Sequence, residues 1–136
     1  MARLKLKLQV MCGEEIALGP GKADLLEAIV AQGSIAAAGR AMGMSYRRAW
    51  LLVDAMNRCW AEPLVATSPN GAGLTPLGRE VLGAYRRLAQ AAEKSTHGAA
   101  WSTLEAALRP EPQPARELGW ASQERRLSGP AASQAR

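Results

Sequence analysis

The sequence has few of the side chains on which catalysis and metal binding usually depend. It contains a single histidine, His97, only two cysteines and no CxxC pair. Because a structural zinc site needs about four cysteine or histidine ligands, we expect no metal and no cofactor. No Ser-His-Asp or Cys-His arrangement surrounds His97, and the phosphate-binding patterns GxxxxGK(S/T) and GxGxxG are absent. An enzyme is therefore the function that the sequence supports least.

The two cysteines, Cys12 and Cys59, leave two interpretations open. They form a redox switch, or they are two small residues of the core. Two cysteines are too few for a disulfide-rich secreted scaffold, and free cysteine is often buried. We favour two core residues.

Long apolar segments and bulky aromatic residues are also scarce. No segment approaches the length of a membrane span, and the start of the chain alternates leucine with lysine where a signal peptide would be continuously apolar. We therefore expect a cytoplasmic protein with no membrane contact. With no phenylalanine and 4% aromatic residues, the core must consist mostly of Leu, Val, Ile, Met and Ala.

The charge balance favours a polyanionic partner. The chain has 136 residues, with 17 Lys and Arg against 12 Asp and Glu, for a net charge of +5. Cationic side chains that contact phosphates release condensed counterions, which favours binding to nucleic acid. The length suits one domain, residues 1–97, followed by residues 98–136. We expect that second part to be a short helix and a Pro-rich, weakly ordered tail, with Trp120 a candidate for docking onto the domain.

The most informative stretch is residues 33–57, which reads as two helices joined by a tight turn. Ser34 and Ser45 are suitable N-caps, and Gly43 suits the left-handed position that closes a helix. This predicts helices over residues 35–42 and 46–60. Two helices joined by a short turn that contains glycine form a helix-turn-helix, whose second helix reads the DNA major groove.

The second helix of this pair separates into two faces at 100° per residue. Ala49, Leu52, Val53, Met56 and Trp60 gather on one side, and the charged residues Arg47, Asp54 and Arg58 gather on the other. Trp50 and Leu51 lie towards the charged side. Each either packs against a neighbouring helix, strand or subunit or touches a thymine methyl group. We favour packing for Trp50, and for Leu51 we leave both alternatives open. Arg40, in the preceding helix, complements the helix dipole or contacts a phosphate.

Short strand signals flank the helices. Residues 3–11 alternate apolar and polar side chains and predict a half-buried strand, followed by a connection over residues 13–21 and a helix over 22–32. After Pro63, residues 64–67 predict a strand, Asn70-Gly71 a hairpin turn and Leu74-Thr75 the returning strand. A helix-turn-helix followed by a β-hairpin describes a winged helix. The hairpin tip carries no Lys or Arg, which leaves two alternatives. Asn70 and Gly71 contact a phosphate, or the hairpin does not contact DNA.

A long helix closes the predicted domain. Thr75-Pro76 is a typical helix start, and the apolar pattern continues to about Lys94. Its apolar stripe predicts a dimer surface, with intramolecular packing on the first helix as the alternative. The predicted dimerisation residues are Leu77, Val81, Tyr85 and Leu88.

These residues resemble the N-terminal DNA-binding domain of the ModE family of molybdate-responsive transcriptional regulators. The most specific parts are the GMSY run at residues 43–46, Ala49-Trp50 and Met56-Asn57, and the GLTPLG run at 73–78 adds support. The resemblance covers about residues 3–95. LysR-type regulators have a similar winged domain, but the Ser-Tyr and Ala-Trp pairs are closer to ModE.

The resemblance implies a homodimer that binds double-stranded DNA at a pseudo-palindromic operator. Residues 45–48 match the first turn of the family's recognition helix. The family binds molybdate in C-terminal Mop domains, which are small β-barrels. After about residue 95 this chain has no β-rich region, so we expect no molybdate sensor and assign no molybdate-binding residue. The predicted DNA-binding residues are Ser34, Arg40, Ser45, Tyr46, Arg47, Arg48, Leu51, Asp54, Arg58, Asn70 and Gly71.

The sequence therefore predicts a mainly α fold with a small β component: a winged helix-turn-helix with an N-terminal strand and a long C-terminal dimerisation helix. The expected function is a DNA-binding transcriptional regulator, ModE-like but without the sensor. The alternative is a protein-interaction module that dimerises with a full-length regulator and modulates it.

Overall fold

The computed structural model describes residues 2–116 of the chain. The elements follow in the order β1 (Val10–Cys12), β2 (Glu15–Leu18), α1 (Pro20–Gln32), α2 (Ile35–Ala41), α3 (Tyr46–Cys59), β3 (Val65–Ser68), β4 (Gly71–Leu74), α4 (Pro76–Ser95) and α5 (Ala99–Ala107). Strands β1 and β2 form one antiparallel hairpin, and β3 and β4 form another. This order confirms the predicted winged helix-turn-helix. The predictions for Trp120 and for tail residues 117–136 fall outside the described residues.

The helices start where the capping residues predicted. Ser34 Oγ accepts a hydrogen bond from the backbone N–H of Ala37 at 3.0 Å, and Ser45 Oγ accepts one from Arg48 at 3.1 Å. Thr75 Oγ1 caps α4 in the same way, through Gly78 N–H at 2.9 Å. Gly43, between α2 and α3, has a φ of 73°, the left-handed conformation that the turn requires. In residues 2–116, no helix is long and apolar enough to cross a membrane.

The N-terminal strand is shorter than predicted. Strand β1 begins only at Val10, and its partner β2 lies within the segment that the sequence predicted as a connection. Residues 3–9 have no strand partner in the described part of the chain, and Leu4 and Leu6 remain 37% and 41% exposed. The segment instead runs along α4, where the Tyr85 hydroxyl donates to the Leu8 carbonyl oxygen at 2.9 Å. Alternation favours a strand, but a strand forms only where a sheet edge is available to pair with it.

The core is aliphatic, as the composition predicted. Helix α1 contributes Leu25, Leu26 and Ile29, and α3 contributes Ala49, Val53 and Met56. Leu52 and Trp60 are half-buried on the same side of α3. Helices α2 and α3 approach closely at Gly39, since a Cβ there would lie 3.0 Å from the Ala49 Cβ. Small residues in α2 therefore set how α3 packs on the domain.

Helix α4 packs against other elements of its own protomer. Intramolecular packing was the alternative to a dimer surface in the sequence-based prediction. Its residues Leu77 and Val81 pack partly buried against the core, and Tyr85 is only 5% exposed. Arg86 joins α4 to α1, with its Nη2 2.7 Å from Asp24 Oδ1 and its Nε 2.5 Å from Glu27 Oε1. Tyr85 is thus covered largely within the protomer, and the dimer surface on α4 stays a prediction.

A side chain near the end of α3 joins this helix to the β3–β4 hairpin. The Asn57 Oδ1 accepts from the backbone N–H of Leu64 at 2.8 Å and of Val65 at 3.1 Å, and its Nδ2 donates to the Val65 carbonyl oxygen at 3.2 Å. Leu64 and Val65 are buried, so no water replaces these bonds without rearrangement. Asn57 fixes where β3 begins.

We expect Asn57→Ala to lower the free energy of unfolding by about 2 kcal/mol, because two buried N–H groups lose their acceptor. Urea unfolding followed by circular dichroism measures the change. Asn70→Ala is the matched control: Asn70 is exposed at the hairpin tip, and we expect a change within about 0.5 kcal/mol. Equal stability of the two variants would show that the Asn57 amide does not hold β3.

Candidate nucleic-acid interface

The first turn of α3 presents two arginines to solvent. Arg47 and Arg48 are exposed, and in residues 2–116 neither is part of an ion pair. The Ser45 hydroxyl caps the helix by accepting a hydrogen bond from the Arg48 backbone N–H. This cap fixes the backbone from which both arginine side chains project. The N-terminal residues of a recognition helix are those that reach base edges. The predicted residues Ser45, Tyr46, Arg47 and Arg48 therefore form one exposed turn.

The other charged residues of α3 are paired with each other. The Arg58 Nε lies 3.1 Å from Asp54 Oδ2, and its Nη2 lies 3.6 Å from Glu15 Oε1 of β2. The hydrogen bond with Asp54 raises the pKa of Arg58, and the charges of Asp54 and Glu15 raise it further. The predicted charged face therefore has two unequal halves. Within residues 2–116, Arg47 is in no ion pair, whereas carboxylates balance the charge of Arg58.

The two predicted residues of α2 lie at opposite ends of that helix. Ser34 is half-buried, and its hydroxyl is occupied by the Ala37 backbone N–H. Arg40 is exposed in the last turn, where its charge complements the helix dipole. Of the two, Arg40 has the side chain that is free to reach a phosphate.

The wing is held against the start of the helix-turn-helix. The Ala72 backbone N–H donates to the Gly33 carbonyl oxygen at 2.8 Å, and a Cβ on Gly71 would lie 2.2 Å from that same oxygen. Gly71 also has a φ of 135°, which side chains rarely adopt. Packing alone thus explains Gly71, whereas Asn70 is exposed at the tip. The strand that returns to the core is β4 (Gly71–Leu74), and Thr75 belongs to the cap of α4.

Exposed apolar side chains accompany the arginines on α3. Tyr46 is 58% exposed, and Trp50 and Leu51 are each 47% exposed. No element of the described residues buries Trp50, and packing against a neighbouring subunit stays a prediction. Tyr46 and Trp50 are four residues apart, so they are neighbours on one face of the helix. Trp50 is not among the predicted DNA-binding residues, and its spacing from Tyr46 is the sequence feature that points to it.

Leu51 lies on a different side of the helix, in a shallow groove with Arg47 and Arg48. The groove continues to Glu15 and Lys22. Leu51 is thus placed beside cationic groups, where an apolar contact would accompany a polar one. In the described part of the chain, no three His, Cys, Asp or Glu side chains are grouped to hold a metal ion.

Comparison with known proteins identifies the fold. The chain matches the DNA-binding domain of CbnR, solved as a complex with DNA, with a TM-score of 0.50 and 23% sequence identity over 65% of this chain and 97% of that one. The chain has a winged-helix fold. At this level of identity the likeness establishes the architecture alone.

Sequence comparison finds relatives named for molybdenum. The chain is 39% identical to the molybdenum transport protein ModE of Azotobacter vinelandii over 93 residues, which are 65% of this chain and 33% of that protein. It is 44% identical to the molybdenum-pterin-binding protein MopB of Rhodobacter capsulatus over 73 residues, 50% of this chain and 27% of that protein. The chain thus spans about a third of the length of these relatives. No protein-family model matches the sequence.

Proposed function

We propose that this chain is a DNA-binding transcriptional regulator of the ModE type. The observation that carries the proposal is the exposed pair Arg47 and Arg48 on the first turn of α3, the second helix of a helix-turn-helix. The winged-helix fold and the similarity to ModE support it. The proposal does not include molybdate binding or the other activities of the longer relatives. No residue of this chain is assigned to molybdate binding.

In the proposed complex, the N-terminal half of α3 enters the major groove. A guanidinium donates two hydrogen bonds to O6 and N7 of guanine, and a good bidentate contact of this kind contributes about 1–3 kcal/mol of discrimination. Tyr46 and Leu51 offer apolar contacts to base edges on either side of Arg47. Arg58 contributes less, because Asp54 and Glu15 already balance its charge.

The remaining contacts position the domain without reading bases. Arg40 contacts the sugar–phosphate backbone near the end of α2, and Ser34 holds the start of that helix. The wing meets the sugar–phosphate backbone through Asn70 and backbone N–H groups, since its tip has no cation. Contacts to phosphate fix orientation and register but carry no sequence information.

The proposed regulator acts as a homodimer through the exposed part of α4. Leu88 is 55% exposed and borders an apolar groove lined by Val10, Leu18, Trp60, Val81 and Ala84. A pseudo-palindromic operator matches the two-fold symmetry of such a dimer. Of the four predicted dimerisation residues, Leu88 is the most exposed, whereas Leu77, Val81 and Tyr85 are partly or largely covered within the protomer.

We expect Leu88→Glu to weaken self-association by at least about tenfold, because a carboxylate would have to be desolvated in the apolar contact. Sedimentation equilibrium over a range of protein concentrations measures the dissociation constant. Leu104→Glu is the control, since Leu104 is 61% exposed on α5. If both variants associate as the parent chain does, α4 is not the contact between protomers.

The direct test of the function is selection of bound DNA from a random pool with the purified chain. We expect a two-fold symmetric motif whose half-sites lie about 10 bp apart, or a multiple of that distance. If no motif emerges even at low salt, where phosphate contacts are strongest, the proposal fails.

A second function is favoured by the uncharged wing and the internal pairing of Arg58. In this alternative, the chain is an interaction module that dimerises with a full-length regulator. A gel-shift assay with a full-length relative, in the presence and absence of this chain, separates the two. Mixed dimers that form without a sequence-specific shift by the chain alone would favour the interaction role.

A further inference from the structure

The two cysteines meet at the junction between the β1–β2 hairpin and the end of α3. Neither is in the core, which corrects the interpretation that the sequence favoured: Cys12 is exposed and Cys59 is half-buried. Cys12 is the last residue of β1, and Cys59 is the last residue of α3. They are far apart in sequence, so only the fold brings them together.

Contacts on both sides of Cys59 hold it against the hairpin. Cys12 pairs across the hairpin with Glu15, and Glu15 Oε1 lies 3.6 Å from the Nη2 of Arg58, the residue before Cys59. On the other side, the Nε1 of Trp60 donates to the Ala17 carbonyl oxygen at 3.3 Å. The residues before and after Cys59 are thus both anchored to β2.

The two cysteines lie in neighbouring elements, and they differ in access to solvent. Burial raises the pKa of the Cys59 thiol, and the nearby Cys12 side chain raises it further. A thiol with a raised pKa is less often the attacking thiolate. Cys12, being exposed, is the thiol that a reagent from solution reaches first. The pair therefore has an accessible thiol and an adjacent one that can resolve a mixed disulfide.

We propose that Cys12 and Cys59 form a site of reversible disulfide formation that exchanges with low-molecular-weight disulfides of the glutathione type. In the first step, the Cys12 thiolate attacks one sulfur of the small disulfide. Its S–S bond breaks, one thiolate leaves and takes up a proton, and Cys12 is held in a mixed disulfide. In the second step, Cys59 loses its proton to solvent and attacks Cys12 Sγ, which releases the second small thiol. Two protein thiols are oxidised, and one small disulfide is reduced to two thiols.

The bond would tie the hairpin to the C-terminal end of the helix that carries Arg47 and Arg48. It closes a loop that contains α1 and α2, so it constrains the unfolded chain strongly. The site lies at the C-terminal end of α3, and its disulfide chemistry is measured on the chain without DNA.

The test uses the full chain in buffers with fixed ratios of reduced to oxidised glutathione. After equilibration, free thiols are blocked with N-ethylmaleimide, and the intact mass and the disulfide-linked peptide are measured. We expect the native chain to lose two hydrogens, with Cys12 joined to Cys59 and no retained glutathione. The ratio of disulfide to dithiol should be at least about tenfold higher in the native chain than in the same chain unfolded in urea, because folding raises the effective concentration of one thiol near the other.

Two results would overturn the proposal: a native ratio equal to that of the unfolded chain, or stable glutathione adducts on both cysteines. Cys59→Ser should retain one glutathione on Cys12, because the resolving thiol is gone. Cys12→Ser should take up glutathione on Cys59 at least about tenfold more slowly than Cys59→Ser does on Cys12. Equal rates for the two variants would contradict the assigned order of attack. The comparison of native and unfolded chain needs no variant, so it holds even if a serine variant folds poorly.

Discussion

Replacing Gly78 by alanine is expected to lower the free energy of unfolding by about 3 kcal/mol or more. A Cβ on Gly78 would lie 2.1 Å from the Leu64 carbonyl oxygen and 3.0 Å from its carbonyl carbon. These are backbone atoms, so the strain is not relieved by rotating a side chain. The free energy of unfolding in urea, with the slope m checked for constancy, measures the loss.

The Leu64 carbonyl cannot move away without breaking other bonds. It accepts from the Thr75 backbone N–H at 2.9 Å and from Thr75 Oγ1 at 3.3 Å. Thr75 also caps α4 through the N–H of Gly78. The loop before β3 and the start of α4 therefore share one small hydrogen-bonded unit, and a methyl group at Gly78 would separate its two parts.

Gly83→Ala is the matched control in the same helix. A Cβ on Gly83 would lie 3.3 Å from Arg87 Nη1, the far end of a flexible side chain that can move. Replacing a glycine within a helix by alanine contributes roughly 0.5–1 kcal/mol, so we expect this variant to be as stable as the parent chain or slightly more so. If Gly78→Ala is as stable as Gly83→Ala, the close approach of Leu64 to α4 is not a constraint on the fold.

The local signals in the sequence were sufficient to predict most helix boundaries. Ser34, Ser45 and Thr75 each cap the helix that they were expected to cap, and Gly43 has the expected left-handed conformation. Such signals act within one turn of the chain, so they can be recognised without knowing the fold. The predicted order of elements followed from them.

The features that depend on long-range contacts could not be predicted in the same way. Residues 3–9 alternate like a strand, but the described fold has no sheet edge for them to pair with. The hydrogen bond between Tyr85 and Leu8, like the contact of Cys12 with Cys59, joins elements from distant parts of the sequence. Composition gives no indication that Gly71 and Gly78 face backbone carbonyl groups whereas Gly83 does not.

The sequence predicted which side of α3 carries the charged residues, but not how those residues are paired. The helical layout placed Arg47, Asp54 and Arg58 on one face, but it gave no sign that Glu15 of the hairpin would approach Arg58. It also weighed Trp50 as a packing residue, whereas the side chain is 47% exposed beside Tyr46. Side-chain pairing across elements decides which charges stay available to a ligand, and this pairing depends on tertiary structure.

The arginine pair gives the largest expected effect on binding. We expect the double variant Arg47→Ala/Arg48→Ala to lose roughly 2–6 kcal/mol of operator-binding free energy if both side chains contact bases, which is at least about a 30-fold rise in Kd. Fluorescence anisotropy with the selected operator at several salt concentrations measures it. Both residues are exposed and make no side-chain ion pair in residues 2–116, so stability should change by less than about 0.5 kcal/mol.

The salt series separates the two roles that an arginine can have. Each lost phosphate contact makes the negative slope of log K against log salt concentration shallower by about 1, and affinity then falls equally on all DNA sequences. Loss of a guanine contact leaves that slope nearly unchanged and removes the preference for one base. Measured singly, Arg47→Ala and Arg48→Ala therefore show which residue reads bases and which binds the backbone.

Net charge is controlled by removing two arginines elsewhere. Arg109 and Arg116 are exposed beyond α5, and Arg109→Ala/Arg116→Ala lowers the net charge by the same amount. Because exposed charges more than about 10 Å from the DNA are largely screened at 0.1 M salt, we expect this control to bind within about threefold of the parent chain. If the control loses as much affinity as the α3 variant, binding depends on total charge and the first turn of α3 is not the reading element. A loss confined to the α3 variant would instead assign recognition to the turn that Ser45 caps.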